Sequence, residues 1–294
     1  MQLRGVITAL ATPFAATGEL DMPAWERLLK SQVAAGIAGV VVAGSTGEAN
    51  ALSDAEYGQL IESAVTHAGS MQVIAGTGLP NTAKTIQMTR LAKSHGAQAA
   101  LVVTPAYVRP TQAGLIAHYR AVADEGGLPV ILYNVPGRTG TDMQPETVAE
   151  LSTHANVIGV KEAVDAPARM DALLALKSPD FAVLSGDDPT VAHACQAGAD
   201  GLVSVGSNIA PRTFVRLVDL AMAGNPAAND LDEQMRGLYA FLSAEPNPIP
   251  VKALLAKFGY GHGLRLPLTE LSAAHSGGLD DIAKVIVALE SSSS

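Results

Sequence analysis

NVIGVKEA, residues 156–163, decides the fold. Its apolar residues run on without alternating with polar ones, the pattern of a parallel strand covered on both faces. The run ends on Lys161. A lysine there admits two readings. In one, the chain reaches the surface and the ammonium reaches water. In the other, the amine stays in an apolar setting, burial disfavours its charged form, and the neutral amine attacks a carbonyl carbon. What surrounds the strand end chooses between them.

Seven further runs of the same kind precede and follow it: GVITALATP (5–13), GVVVAGSTG (39–47), MQVIAGTG (71–78), AALVVTPAY (99–107), PVILYNVP (129–136), FAVLSGDD (181–188) and GLVSVGSN (201–208). Helical periodicity fills the gaps. MPAWERLLKSQVAAG places Trp25, Leu28, Leu29 and Val33 on one face. SDAEYGQLIESAVTHAG opens with Ser53 and Glu56 in capping-box spacing, and NTAKTIQMTRLAKSHG runs from Asn81 to a stop at Gly96. Eight strand–helix units predict a (β/α)₈ barrel, the TIM-barrel class of α/β fold, over residues 1–223. A doubly wound open sheet would carry fewer strands, and no G-x-G-x-x-G follows the first one. From 224 to 290 only helices are legible, so a C-terminal helical extension packed on the barrel is expected. The closing SSSS, 291–294, reads as a disordered tail.

Composition narrows the function. The net charge of -9 argues against nucleic acid and against an anionic membrane surface. No apolar stretch reaches the length of a membrane span, and the N-terminus lacks a signal-peptide pattern, so the cytoplasm is the expected compartment. Cys195 is the only cysteine, which rules out an intrachain disulfide and fits a reducing compartment. Its context, AHACQAGAD, reads as a buried helix rather than a reactive thiol. The seven histidines are scattered without ligand spacing, and SGDD alone is thin support for a cation, so no metal is expected.

A barrel of this type carries its active site at the C-terminal ends of the strands. The polar residues of the runs collect there: GSTGE (44–48), Thr104 and Tyr107, Tyr133 and Asn134, Lys161 and Glu162, SGDD (185–188) and SVGSN (204–208). Lys161 would lie among hydroxyls. Glu162 would point to the opposite face, behind the barrel wall. An amine so placed is a candidate Schiff-base nucleophile, and Tyr133, Tyr107 and Ser45 or Thr46 could relay the protons that imine chemistry moves. Either tyrosine could instead be a core ring with a satisfied hydroxyl. Arg138, in the turn YNVPGRT, could clamp a carboxylate bidentately or simply pair with a loop acid. GSTGE lacks the lysine of a phosphate-binding P-loop, but its backbone amides suit a carboxylate.

Taken in order and spacing, GSTGE, TPAY, YNVPGRTG, GVKEA, SGDD and NPIPVK resemble the dihydrodipicolinate synthase / N-acetylneuraminate lyase family, from about residue 3 to residue 290. The resemblance implies a (β/α)₈ barrel with a helical extension and a pyruvate Schiff base on Lys161. It implies Tyr133 as proton donor and acceptor. Ser45 and Tyr107 would complete a relay, with Tyr107 supplied by a neighbouring subunit. Thr46 and the Val203 backbone would hold the pyruvate carboxylate. Arg138 would hold L-aspartate 4-semialdehyde, as in the synthase branch. The implied product is 4-hydroxy-tetrahydrodipicolinate, made with no metal or organic cofactor, and the implied assembly is a homotetramer built as a dimer of dimers.

Two departures stand out. Ser45 occupies a position where many synthases carry threonine and the lyase branch carries serine. The positions matching the lysine-inhibitor site are Tyr57, Pro80, Lys84 and Ala106. A cation there replaces the carboxylate that would meet the inhibitor's ammonium, so weak or absent inhibition by lysine is expected. The other readings are a sialic acid lyase or other sugar-acid aldolase or dehydratase, and a non-catalytic sensor of a small keto acid. The sensor would be expected to have lost the amine or the tyrosine.

Overall fold

Strand pairing closes on itself. In the computed structural model, which describes residue 1 and residues 3–293, eight parallel strands form a barrel in the order β1 to β8. They are β1 (Gly5–Ala9), β2 (Gly39–Val42), β3 (Gln72–Gly76), β4 (Ala99–Val103), β5 (Val130–Asn134), β6 (Val157–Glu162), β7 (Ala182–Ser185) and β8 (Gly201–Ser204). Each lies within one of the eight apolar runs. Alternation along a strand sends successive side chains to opposite faces. Ile7, Val41, Ile74, Leu101, Ile131, Tyr133, Leu184 and Val203 fill the lumen. Val6, Val40, Val73, Val102, Leu132, Val160, Val183 and Leu202 face outward into the larger core under the helices. Both faces are buried, which is why the runs do not alternate in polarity.

The outer layer begins with α1 (Met22–Ala34), α2 (Asp54–His67), α3 (Thr82–Ser94) and α4 (Gln112–Glu125). All four open on a side chain that accepts from a backbone N–H of the first turn: Asp21, Ser53, Asn81 and Thr111. Ser53 and Glu56 make the full capping box. In α1 the buried face is Trp25, Leu28 and Leu29 with Gln32; Val33 is 38% exposed, contrary to the expected stripe. Gln32 is admitted because Thr8 donates to its carbonyl and its amide donates to the Ser207 carbonyl. There follow α5 (Pro136–Thr139), α6 (Pro145–Ser152), α7 (Pro167–Leu174), α8 (Val191–Gln196) and α9 (Pro211–Met222). Cys195 is buried in α8, and burial pushes its thiol up to about 12.

Beyond α9 lie α10 (Ala227–Gln234), α11 (Arg236–Leu242), α12 (Ile249–Lys257), α13 (Ala273–Ser276) and α14 (Leu279–Ser292). The stretch NPAANDLDEQMRGLYAFLSAE forms two helices, α10 and α11, that meet at Met235. Ser291 and Ser292, expected to begin a disordered tail, are helical instead. The α14 helix continues through Ser292, whose carbonyl accepts from Arg216, while Ser294 lies outside the described residues. No helix among the described residues is long and apolar enough to cross a membrane.

Candidate active site

Lys161 and Tyr133 occupy paired positions on β6 and β5 and both point into the lumen. The lysine is 4% exposed, and its Nζ lies 4.2 Å from the centre of the Tyr133 ring. The strand therefore does not end at the surface at this residue, which removes the snorkelling reading. Its aliphatic stem packs against Gly186, where a Cβ would come within 2.9 Å of Lys161 Cε. The carboxyl groups of Asp187 and Asp188 sit close enough to feel its charge. They are used by other partners. Asp187 accepts from Thr190, and Asp188 accepts from the Gly206 amide at 2.7 Å and the Val205 amide at 3.2 Å. Burial pushes Asp188 up to about 6. SGDD thus braces the loop after β8, and no cluster of three metal-ligating residues exists among the described residues.

Glu162 lies behind the wall, as alternation requires. Both its oxygens accept from Asn134 Nδ2, and Oε1 also accepts from the Val164 amide.

At the strand ends opens a cavity of about 480 Å³ whose lining includes Ser45, Tyr133, Arg138 and Asn247 together with Tyr57, Pro80 and Ala106. The loop after β2 enters it between two left-handed residues, Ala43 (φ 52°) and Glu48 (φ 54°). Ser45 is exposed into this space, whereas Thr46 is buried. The Thr46 hydroxyl accepts from Asn247 Nδ2 at 3.0 Å, which aims its own proton elsewhere. Arg138 sits in the single turn α5, and its guanidinium donates to the Asn247 carbonyl at 2.8 Å. Its partner is a backbone carbonyl and not a loop acid, so both carboxylate-clamp candidates lean on one residue of the C-terminal segment. Val203 is buried in the lumen near the end of β8.

Tyr107 is not brought in. Its φ is 72° and it is 93% exposed, outside the cavity of its own chain. The left-handed turn after β4 throws the side chain away from the barrel mouth, a conformation that a strand-end reading does not anticipate.

Sequence reasoning missed the struts. Glu48, the last residue of GSTGE, forms a buried ion pair with Lys252 of NPIPVK, and its other oxygen accepts from the Arg265 amide at 3.0 Å. Lys252 Nζ and the Arg265 guanidinium lie over the Phe14 ring at 4.1 and 4.2 Å. The only hint in sequence was a charged residue inside two otherwise apolar or small-residue stretches.

A family model described as the dihydrodipicolinate synthetase family matches residues 2–286. The 4-hydroxy-tetrahydrodipicolinate synthase of Stenotrophomonas maltophilia (strain K279a) is 61% identical over 296 residues, covering all of both chains. That of Xanthomonas campestris is 60% identical and covers all of this chain and 98% of its own. Among solved structures, the chloride-inhibited dihydrodipicolinate synthase of Acinetobacter baumannii, complexed with pyruvate, superposes with a TM-score of 0.94 at 39% identity, covering 97% of this chain and 99% of the other. The Cyanidioschyzon merolae enzyme with lysine bound gives 0.92 at 35% identity, covering 97% and 98%. The chain belongs to the dihydrodipicolinate synthetase family.

Proposed function

We propose that this chain performs the reaction for which its relatives are named, condensing pyruvate with L-aspartate 4-semialdehyde to 4-hydroxy-tetrahydrodipicolinate. The observation that carries the reading is Lys161, a buried amine beside the ring of Tyr133, which itself lines the cavity. Its Nζ attacks C2 of pyruvate, and the carbinolamine loses water to give an imine. Loss of a C3 proton leaves an enamine, which bonds to the aldehyde carbon of the acceptor. The acceptor's amine then attacks the imine carbon, closes the ring and releases Lys161. Tyr133 carries the protons of these steps, with Ser45 beyond it. Thr46 and the Val203 backbone hold the pyruvate carboxylate, and Arg138 the carboxylate of the semialdehyde.

Tyr107 completes the relay of a neighbouring subunit. Its exposure beside the exposed Val108 supports an interface there, and the assembly is a homotetramer. The enzyme acts in the cytoplasm, in keeping with its lone buried cysteine. Lysine inhibits it weakly or not at all. Tyr57, Pro80 and Ala106 line the cavity, and Lys84 stands exposed on α3.

The test offers the purified protein pyruvate with either L-aspartate 4-semialdehyde or N-acetylmannosamine. Turnover of the semialdehyde, undiminished by millimolar lysine, is expected. Formation of a sialic acid instead would overturn the acceptor assignment. Sedimentation of a tetramer is expected; a fully active monomer would remove the role given to Tyr107.

A further inference from the structure

The Tyr133–Lys161 pair has a counterpart on the other side of the barrel wall. One step along the same strands, Asn134 pairs with Glu162. Both are fully buried, outside the lumen. Asn134 Nδ2 lies 3.1 Å from each Glu162 oxygen and 2.9 Å from Asp142 Oδ1, while Asn134 Oδ1 accepts from the Met143 amide. Arg169 of α7 closes the chain on Asp142 Oδ2 and donates to the Met143 carbonyl.

The ladder these residues pin is irregular. Val130 pairs with Val157, but Ile131 pairs with Gly159, so β6 carries an extra residue below the site. A slip of one residue turns every side chain to the other face. Something must specify the register above the bulge, and the first side-chain bond above it is that between Asn134 and Glu162.

We propose that Glu162 and Asn134 are positioning residues for the Schiff-base chemistry: bonded outside the barrel, they lock β5 to β6 so that Tyr133 and Lys161 stay side by side within it. This rests on Lys161 being the nucleophile. The lock needs a carboxylate. Glu162 accepts at both oxygens, from Asn134 and from Val164, so a protonated carboxyl or a glutamine would set a donor against a donor. Burial pushes Glu162 up to about 7, with the nearby Asp142 adding to the rise, and the Val164 amide, Asn134 and Arg169 opposing it. Asp142, from the loop after β5, and Arg169, from α7, are the charged groups facing it; β7 presents Ser185 at the paired position, and Glu146 and Glu150 of α6 are exposed to solvent. The lock therefore loosens as pH falls through about 7, and activity falls with it.

The test measures kcat and KM for pyruvate against pH in the wild type, Glu162→Gln and Asn134→Ala, with borohydride trapping of pyruvate on Lys161 in each. In Glu162→Gln, kcat is expected to drop on the order of 10- to 100-fold with little change in KM, and the acid limb near pH 7 to vanish. In Asn134→Ala, kcat falls similarly and the acid limb vanishes too, because Glu162 then has no partner on β5 whose bond its protonation could break. A merely structural role would lower the melting temperature and leave the limb in place. Wild-type kcat in either variant, or an unmoved limb, overturns the proposal. If Glu162→Gln does not fold, Asn134→Ala decides alone. A wild type that traps no pyruvate defeats the Schiff-base reading and this proposal with it; a wild type that traps beside unaffected variants defeats only the proposal.

Discussion

Two regions of the site are built by opposite means. Lys161 and Tyr133 stand on adjacent strands, and backbone pairing sets their relation. Thr46 stands on the loop after β2 and Arg138 on the single turn α5, and nothing local relates them. They meet through Asn247, whose side chain donates to one and whose carbonyl accepts from the other. The Thr46 loop is anchored again at Glu48 by Lys252. On the proposed reading, the chemistry belongs to the barrel and the placing of carboxylates to the C-terminal segment. Changes in the first region should cost turnover. Changes in the second should cost stability and substrate binding.

The largest effect is expected from Lys161→Ala, which should lower kcat by on the order of 10⁴-fold or more and abolish trapping, with the fold intact by circular dichroism. Tyr133→Phe should lower kcat by about 10²- to 10⁴-fold while pyruvate can still be trapped, separating proton transfer from imine formation in a quenched time course. On the other side of the comparison, Lys252→Met leaves Glu48 buried without its partner. Denaturant unfolding should show a loss of about 3–5 kcal/mol. A loss under 1 kcal/mol would mean that the segment is not a strut. Asn247→Ala removes one hydrogen bond to Thr46, worth about 0.5–1.5 kcal/mol, and should raise KM for pyruvate with kcat nearly unchanged.

The smallest effect concerns Glu56, which ties α2 to Arg265. The arginine's hydrogen bond holds its carboxyl well below the ordinary value of 4.5, at about 2. A depressed carboxyl contributes stability above the unfolded-state value and loses it as pH falls toward the folded one. Thermal midpoints should therefore fall between pH 4.5 and 2, and slightly less steeply in Glu56→Gln; the pair is only partly buried and water screens it, so the difference is small.

What could be seen in the sequence follows the same division. Eight apolar runs announced the barrel because each strand is covered on both faces, and Lys161, Tyr133 and the outward Glu162 followed from strand position and alternation. Tyr107 did not follow, because a left-handed turn redirects it. Val33 was misplaced because Gln32, satisfied by Thr8 and Ser207, takes the buried position. The Glu48–Lys252 pair joins residues 204 positions apart, and no periodicity relates such distant charges. Asn247 was invisible for the same reason: its role exists only where two loops and the C-terminal segment meet.

The most direct measurement is borohydride reduction of the protein in the presence of pyruvate, followed by intact mass and a peptide map. The account predicts a single adduct, on the peptide carrying Lys161. A folded protein with no adduct, or with the adduct on another lysine such as Lys252, would contradict it.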